Sequence, residues 1–268
     1  MENEGQGETR AREERDFVTA VARAFDVLRA WGADDDLLGT QEVARRAGLP
    51  KSTASRLIST LVRLGVLETD AATGRHRLGA ALLPVAQAFV SARPLARVAR
   101  AVIERLSAEA GAAVALSERE GTRMLYLDYA RGDATVVVAL RPGAAIPLGK
   151  SAAGLAWLAS AEAEECRAAC ELLERAGEAP ATLATRLVHA RKELRDHGYV
   201  KAFGLWRSEV NALGVPLPFP ADPSRRLALS IAAPAFLVPA GRMEAEFAPR
   251  LLAAAQEILR RAEGEVVR

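Results

Sequence analysis

The sequence contains little of what metal, redox or secretory chemistry requires. Of 268 residues, only two are cysteine and three histidine. Cys166 and Cys170 stand four apart in a helical stretch, while His76, His189 and His197 are scattered, so no cluster has zinc-ligand spacing. In a reducing compartment such a cysteine pair reads as ordinary helix residues, with a thiol switch as the minor alternative. No apolar run reaches the roughly 18 residues that span a bilayer, and the start has no signal-peptide pattern. A soluble, cytoplasmic chain with no membrane partner is expected. No Ser-His-Asp arrangement, metal-ligand set or Gly-rich cofactor loop stands out, so neither an enzyme nor a bound cofactor is expected. The net charge is only +2, and composition as a whole therefore does not announce a polyanionic partner.

The length suits two domains of ordinary size, and half of the residues are hydrophobic, enough for a substantial core. Residues 1–15, polar, charged and without apolar rhythm, read as a disordered tail. Charge becomes informative only locally. From Leu37 to Ala80, the bases Arg45, Arg46, Lys51, Arg56, Arg63, Arg75 and Arg77 face only Glu42, Glu68 and Asp70. From Lys51 to Leu64 there is no acid at all. Most surface helices mix signs, so a single-signed stretch suits a negative partner such as phosphate.

The same region has a helical rhythm. Phe17, Val18, Val21, Phe25, Leu28 and Trp31 recur at helical spacing, and Gly32 with the acidic run Asp34–Asp36 stops that helix. Thr40 is placed to cap a second, short helix that ends at Gly48, with Glu42 near its positive end. Leu49-Pro50 then turns into a third helix. Its residues Ala54, Leu57, Ile58 and Leu61 fall at i, i+3, i+4, i+7 and point inward. That leaves Lys51, Ser52, Ser55, Arg56, Ser59 and Arg63 outside, the arrangement of a helix-turn-helix. "VLETDAATGRHRLG" follows as strand, turn and strand, a wing with Arg75 and Arg77 on one face. A three-helix module that binds another protein, and a tether on an enzyme, are the competing readings.

These residues carry a resemblance. "VARAFDVLRAW", "GTQEVARRAGLPKSTASRLISTLVRLGVLE" and "TGRHRLG" resemble the IclR family of bacterial transcriptional regulators, and the likeness continues through the second domain. The family implies a winged helix-turn-helix over 16–78, a connecting and dimerisation helix over 79–94, and a GAF-like effector-binding domain over 95–268. The fold class is thus α/β (α+β). It also implies a double-stranded DNA operator as partner, homodimers or tetramers, and a small organic effector that modulates operator affinity. Candidate DNA contacts are Thr40, Gln41, Lys51, Ser52, Thr53, Ser55, Arg56, Arg75 and Arg77. Lysine and arginine can pair with guanine edges or phosphate, and the hydroxyls with base or backbone.

"GAALLPVAQAFVSARP" places Leu82, Leu83, Ala86, Phe89 and Val90 along one side of the connecting helix, a stripe that a partner chain would cover. Beyond it, helices are expected at Val98–Ala110, 150–160, Ala163–Arg175, 185–197 and about 242–263. Strands are expected at "AAVALSER", "TRMLYLDYA", "ATVVVALR", "YVKAFGLW", "VNALGVPLPF" and "RLALSIAAP". "GAAIPLGKSAAG" ends like a phosphate-binding loop, but Ala144 stands where that motif needs glycine, and Pro147 stiffens the turn. The stretch reads better as a turn into a helix whose N-terminus faces a cavity and holds an anion or carbonyl. Members of the resembled family often carry histidine and lysine around this hydroxyl-glycine pair, where this chain has Gly149 and Leu155. Ser151, Gly154, Phe203, Trp206, Asn211 and Ser230 are the candidate effector contacts, with Ala232 in place of a second hydroxyl. Rings beside a few polar groups suit a small organic acid or an aromatic effector. Core packing is the alternative for Phe203 and Trp206.

Overall fold

In the computed structural model, residues 17–32, 35–132, 141–218 and 226–266 are described. The proposed tail lies outside them, as does the expected strand "ATVVVALR" apart from Arg141. Contacts divide the chain into two units between Phe89 and Val90.

In the first unit, α1 (Thr19–Leu28), α2 (Thr40–Arg46) and α3 (Lys51–Arg63) precede a two-stranded antiparallel hairpin, β1 (Leu67–Thr69) and β2 (His76–Leu78). Its core is Val27, Trp31, Leu38, Val43, Ile58, Leu61 and Leu67. α3 buries Ala54, Ile58 and Leu61 and half-buries Leu57, so its apolar stripe lies where the spacing predicts. Gly48 has φ of +65°, a left-handed turn that lets α3 leave α2 within a few residues. Pro50 stands immediately before α3 and needs no donor there.

α1 corrects its expectation. It closes at Leu28, before Gly32, and its buried residue is Val27, with Ala30 and Trp31 beyond its end. Phe17, Val18, Val21 and Phe25 stay on the surface, Phe17 at 64% and Phe25 at 53% exposure. Only the C-terminal end of this ten-residue helix enters the core, so its first turns project away from the core. Thr40 is also corrected: Gly39 is the N-cap of α2, and Thr40 is its first helical residue. The hairpin gains a partner that was not expected, because Leu38 bridges to His76 through backbone bonds of 2.9 Å in both directions.

α4 (Leu82–Ser91) carries the boundary between the units and has no buried residue; Leu83, Val85, Phe89 and Val90 are exposed. The second unit is a six-stranded, wholly antiparallel sheet in the order β5-β4-β3-β8-β7-β6. Its strands are β3 (Ala113–Glu120), β4 (Arg123–Ala130), β5 (Ala145–Pro147), β6 (Val200–Phe203), β7 (Val210–Pro218) and β8 (Arg226–Pro234). α5 (Pro94–Ala110) covers one face, together with a C-terminal run from α9 (Ala240–Arg242) through a π-helical turn (Met243–Phe247) into α10 (Ala248–Val266). On the other face lie α6 (Ala152–Ser160), α7 (Ala163–Arg175) and α8 (Pro180–His197). The strands alternate between the two cores: Val114 and Leu116 face α5 and α10, and Ala115 faces α6.

Differences from the sequence-based boundaries have local causes. α5 and α8 begin four or five residues earlier than expected, each with proline in its first turn. β6 ends at Phe203 because Gly204, at φ +61°, turns the chain out of the sheet, so Leu205 and Trp206 belong to a loop. The phosphate-loop look-alike becomes β5, paired with β4, and one 3-10 turn, Leu148–Lys150.

Candidate functional site

The first unit presents the single-signed helix face. Lys51, Ser52, Ser55, Arg56, Ser59, Thr60 and Arg63 are exposed, and Thr53 is half-buried. Thr53, Ser55, Arg56, Ser59 and Thr60 line a shallow groove with Ala20 and Arg23 of α1. The Thr60 hydroxyl donates to the Arg56 carbonyl at 3.0 Å, whereas no described residue pairs with the charge of Lys51, Arg56 or Arg63. Three cations and three free hydroxyls therefore stand on one face, with no carboxylate among the described residues paired to them. Thr40 is half-buried at the start of α2 and Gln41 is exposed beside it.

The wing arginines are placed differently. Arg77 lies 3.3 Å from Asp70, whose other oxygen accepts from the backbone and hydroxyl of Thr73 and so shapes the turn. Those Thr73 bonds, more than Arg77, hold the Asp70 carboxyl below its ordinary range. Arg75 lies 3.7 Å from Glu42 of α2. Glu42 also takes Arg46, which in turn grips Asp35 and the Ala30 carbonyl. Both wing pairs are exposed, so opening either one costs little in water.

His76 was not singled out in the sequence. Its ring is buried between Thr40, whose Oγ1 is 3.2 Å from Nε2, and Thr69, whose Oγ1 is 3.0 Å from Nδ1. Burial pushes the imidazole pKa down. It links the wing to α2, and strand alternation, which turns it opposite to Arg75 and Arg77, was the available signal.

The second unit contains a concavity between the sheet and the start of α6, with about 50 Å³ of space behind a mouth open to solvent. Its floor is a grid of small side chains fixed by register. One row runs across four strands as Ala202, Ala212, Ala232 and Ala113; the next contains Gly214, Ser230, Ala115 and Tyr129. α6 is pressed close to this sheet: a Cβ at Gly214 would meet the Ala152 carbonyl at 2.3 Å, and one at Gly154 the Leu148 carbonyl at 2.0 Å. Only glycine allows that approach.

Of the candidate effector residues, Ser151, Trp206 and Ser230 line the concavity. Gly154, Phe203 and Asn211 do not. Gly154 is a packing requirement of α6. Phe203 and Asn211 are cross-strand partners whose neighbours Ala202 and Ala212 take the cavity side; Phe203 packs against the α5/α10 core and Asn211 donates to the Val238 carbonyl at 3.0 Å. Even Ser151 has a structural task. It caps α6, accepting from the Gly154 amide at 3.1 Å and donating to the Pro147 carbonyl at 2.6 Å. A side chain at Gly149 would point to Leu173 and Leu183, and Leu155 is buried among the helices, so neither departure from the resembled family faces the floor.

Tyr126, Tyr129, Lys150 and Arg207 line the cavity too and were missed. Tyr126 and Tyr129 are three apart, which in a regular strand puts them on opposite faces. A bulge resolves this: Leu116 pairs with Asp128 and Ser117 with Tyr126, so Leu127 is the extra residue and both tyrosines face α6. Their rings stack at 6.0 Å and 12°. Burial pushes both phenols up, and the Tyr129 hydroxyl is buried with no hydrogen-bond partner among the described residues. Lys150 is held by Glu178 at 2.8 Å; Arg207 stacks on Trp206 at 4.9 Å, with Glu209 only at 4.0 Å.

Comparison with known proteins decides what these two units are. The IclR helix-turn-helix domain model matches residues 20–71, and the bacterial transcriptional regulator IclR C-terminal model matches residues 87–260. The chain belongs to the IclR family. Among IclR relatives, the HTH-type transcriptional regulator TsaQ1/TsaQ2 of Comamonas testosteroni is 28% identical over 245 residues, covering 90% of this chain and 87% of that one. The solved structure of an IclR family transcriptional regulator from Brucella abortus is 35% identical with a TM-score of 0.74, covering 92% of this chain and 93% of that one. An IclR homologue from Microbacterium hydrocarbonoxydans, solved with 4-hydroxybenzoate, is 25% identical with a TM-score of 0.73, covering 91% of this chain and 99% of that one. The chain is thus an IclR-type helix-turn-helix transcription regulator with an N-terminal DNA-binding domain and a C-terminal α/β domain. No helix among the described residues is long and apolar enough to cross a membrane.

Proposed function

We propose that this IclR-type regulator is a cytoplasmic homodimer, or a pair of dimers, that recognises one operator through α3 and releases or tightens its grip when a small organic or aromatic acid enters the second unit. The observation that carries the DNA reading is the exposed, acid-free face of α3, with Lys51, Arg56 and Arg63 unpaired among the described residues. In this reading Lys51, Ser52, Thr53, Ser55 and Arg56 enter the major groove, Thr40 and Gln41 sit at its edge, and Arg75 and Arg77 reach flanking phosphates. Two protomers would read half-sites roughly 34–36 Å apart or a multiple of that.

Dimerisation is supported by apolar surface that the described residues leave exposed: Phe17 and Val18 just before α1, Val21 and Phe25 on it, and Leu83, Val85 and Val90 on α4. The domain scheme proposed is the winged helix over 16–78, a connecting helix over 79–94 and a GAF-like effector domain over 95–268. The effector reading is supported by the cavity, with its two tyrosines, tryptophan and arginine, and by the aromatic acid bound in the Microbacterium homologue. A bound effector shifts operator affinity only by its preference for one of two states.

The test is binding to the promoter beside its own gene at several salt concentrations. Site-specific binding with a steep salt dependence is expected. Unspecific binding with a shallow dependence would overturn the reading.

A further inference from the structure

His76 is the one histidine of the first unit, so it is the side chain there whose ordinary titration falls between pH 5 and 8. It is also a joint of that unit. Its backbone exchanges hydrogen bonds of 2.9 Å with Leu38 on one side, and it pairs with Thr69 of β1 on the other. Its buried ring spans from Thr69 to Thr40, the first residue of α2, with the Oγ1 atoms 3.0 Å from Nδ1 and 3.2 Å from Nε2.

Both partners are hydroxyls, which accept from a ring N–H as readily as they donate to a bare ring nitrogen. The neutral ring uses one bond of each kind. An imidazolium donates at both nitrogens, and neither contact is lost. What the ring lacks is a counter-charge. Glu42 of α2 is taken by Arg46 and Arg75, and Asp35 by Arg46. Asp70 of the hairpin is shared by Thr73 and Arg77. Glu68 lies opposite Arg77, on the strand face turned away from His76. Arg75 and Arg77 share that outer face, Asp36 and Arg45 are exposed, and the positive end of α2 is at Thr40. Burial therefore holds the free ring toward its neutral form.

We propose that His76 positions the Thr40 hydroxyl for a backbone phosphate of the operator, and that the ring takes up a proton from solvent as that phosphate arrives. The inference rests on α2 lying at the edge of the groove, as in the DNA reading above. The phosphate supplies the missing negative charge across one hydroxyl. Nε2–H donates to Thr40, Thr40 donates to the phosphate oxygen, and the added proton sits on Nδ1 and donates to Thr69. The bound ring then keeps its proton to a higher pH than the free ring. Between those two pH values the complex carries more protons than its separate parts, so affinity rises as pH falls and levels off below the lower value.

Fluorescence anisotropy of the full chain with the promoter fragment beside its own gene, from pH 8 to 5.5 at one salt concentration, tests this. Calorimetry in two buffers of different ionisation enthalpy counts the protons. Wild-type affinity is expected to rise about threefold to tenfold for each protomer over that range, with net proton uptake on binding. His76→Gln keeps a donor and an acceptor but does not titrate, and it is expected to bind with a flat pH profile and no uptake. Thr40→Val leaves the ring in place and removes the link, so the uptake is lost there too, and Thr40→Ser restores it. A purely structural role of His76 does not produce that pattern, and the Thr40 pair carries the test if His76→Gln fails to fold. A flat wild-type profile, an unchanged slope in His76→Gln, or full uptake in Thr40→Val would overturn the proposal and leave the placement of α3 standing. Absence of specific binding at every pH would overturn the DNA reading, and this proposal with it.

Discussion

Arg56→Ala isolates DNA contact from folding. Arg56 lies on the outward side of α3, exposed and in no ion pair among the described residues, while Ala54, Leu57 and Ile58 around it supply the packing. Beyond the backbone ladder of the helix, its carbonyl accepts from the Thr60 hydroxyl, a bond that alanine keeps. The unit should therefore keep its stability within about 0.5 kcal/mol, the usual range for a surface change. Binding is another matter. If the guanidinium contacts a phosphate, each protomer loses one neutralised charge. The slope of log affinity against log salt becomes shallower by about 0.9 per protomer, and all sequences weaken together. If it pairs with a guanine edge, affinity falls by about 1–3 kcal/mol and selectivity relaxes at one base pair. Titrating fluorescent operator and scrambled duplexes at three or more salt concentrations, beside a thermal melt, separates these outcomes. Unchanged affinity and salt slope, or a weakening fully explained by a lower melting temperature, would refute the placement of α3 in the groove.

Two further outcomes follow from side chains whose partners are set by the fold. Ser151→Ala removes the α6 cap and should destabilise the second unit by about 1 kcal/mol. For a unit of this size that is a fall of roughly 2–4 °C in melting temperature, with little change in ligand affinity; the reverse pattern, intact stability with lost binding, would make Ser151 a ligand contact. For His76, burial lowers the folded pKa, so as pH falls the unfolded chain takes up its proton first. Its contribution is complete above the unfolded value near 6.5 and is lost as pH drops through that value to the lower folded one. Melts of the wild type from pH 8 to 5 should decline through this window, and His76→Gln should flatten the decline; parallel curves would refute it.

Patterns that repeat along one element were legible in the chain itself. The period of Ala54, Leu57, Ile58 and Leu61, the absence of acid beside them and the glycine-proline turn before them placed the helix-turn-helix. Both ends of that argument are local, because a helix face is fixed by sequence spacing alone. The alternation of β7 and β8 was equally readable, and so were most helices of the second unit. α1 shows the limit: its apolar period is real, but which part of that stripe enters the core depends on where the neighbouring helices lie.

The ligand cavity was decided by tertiary structure. Its floor takes Ala202, Ala212, Ala232, Ala113 and Ser230 from four strands, and its tyrosines reach it through one bulge at Leu127 that defeats the period of two. Alternation also excludes Phe203 and Asn211, which stood as candidates because they belong to the late strands that resemble the family's effector segment. The amino-acid sequence by itself determined the helix-turn-helix, because each helix face is a property of adjacent residues. Which side chains meet across a sheet is set by register, and register comes from the hydrogen bonds and packing of segments that are more than a hundred residues apart in some pairs, such as Ala113 with Ala232.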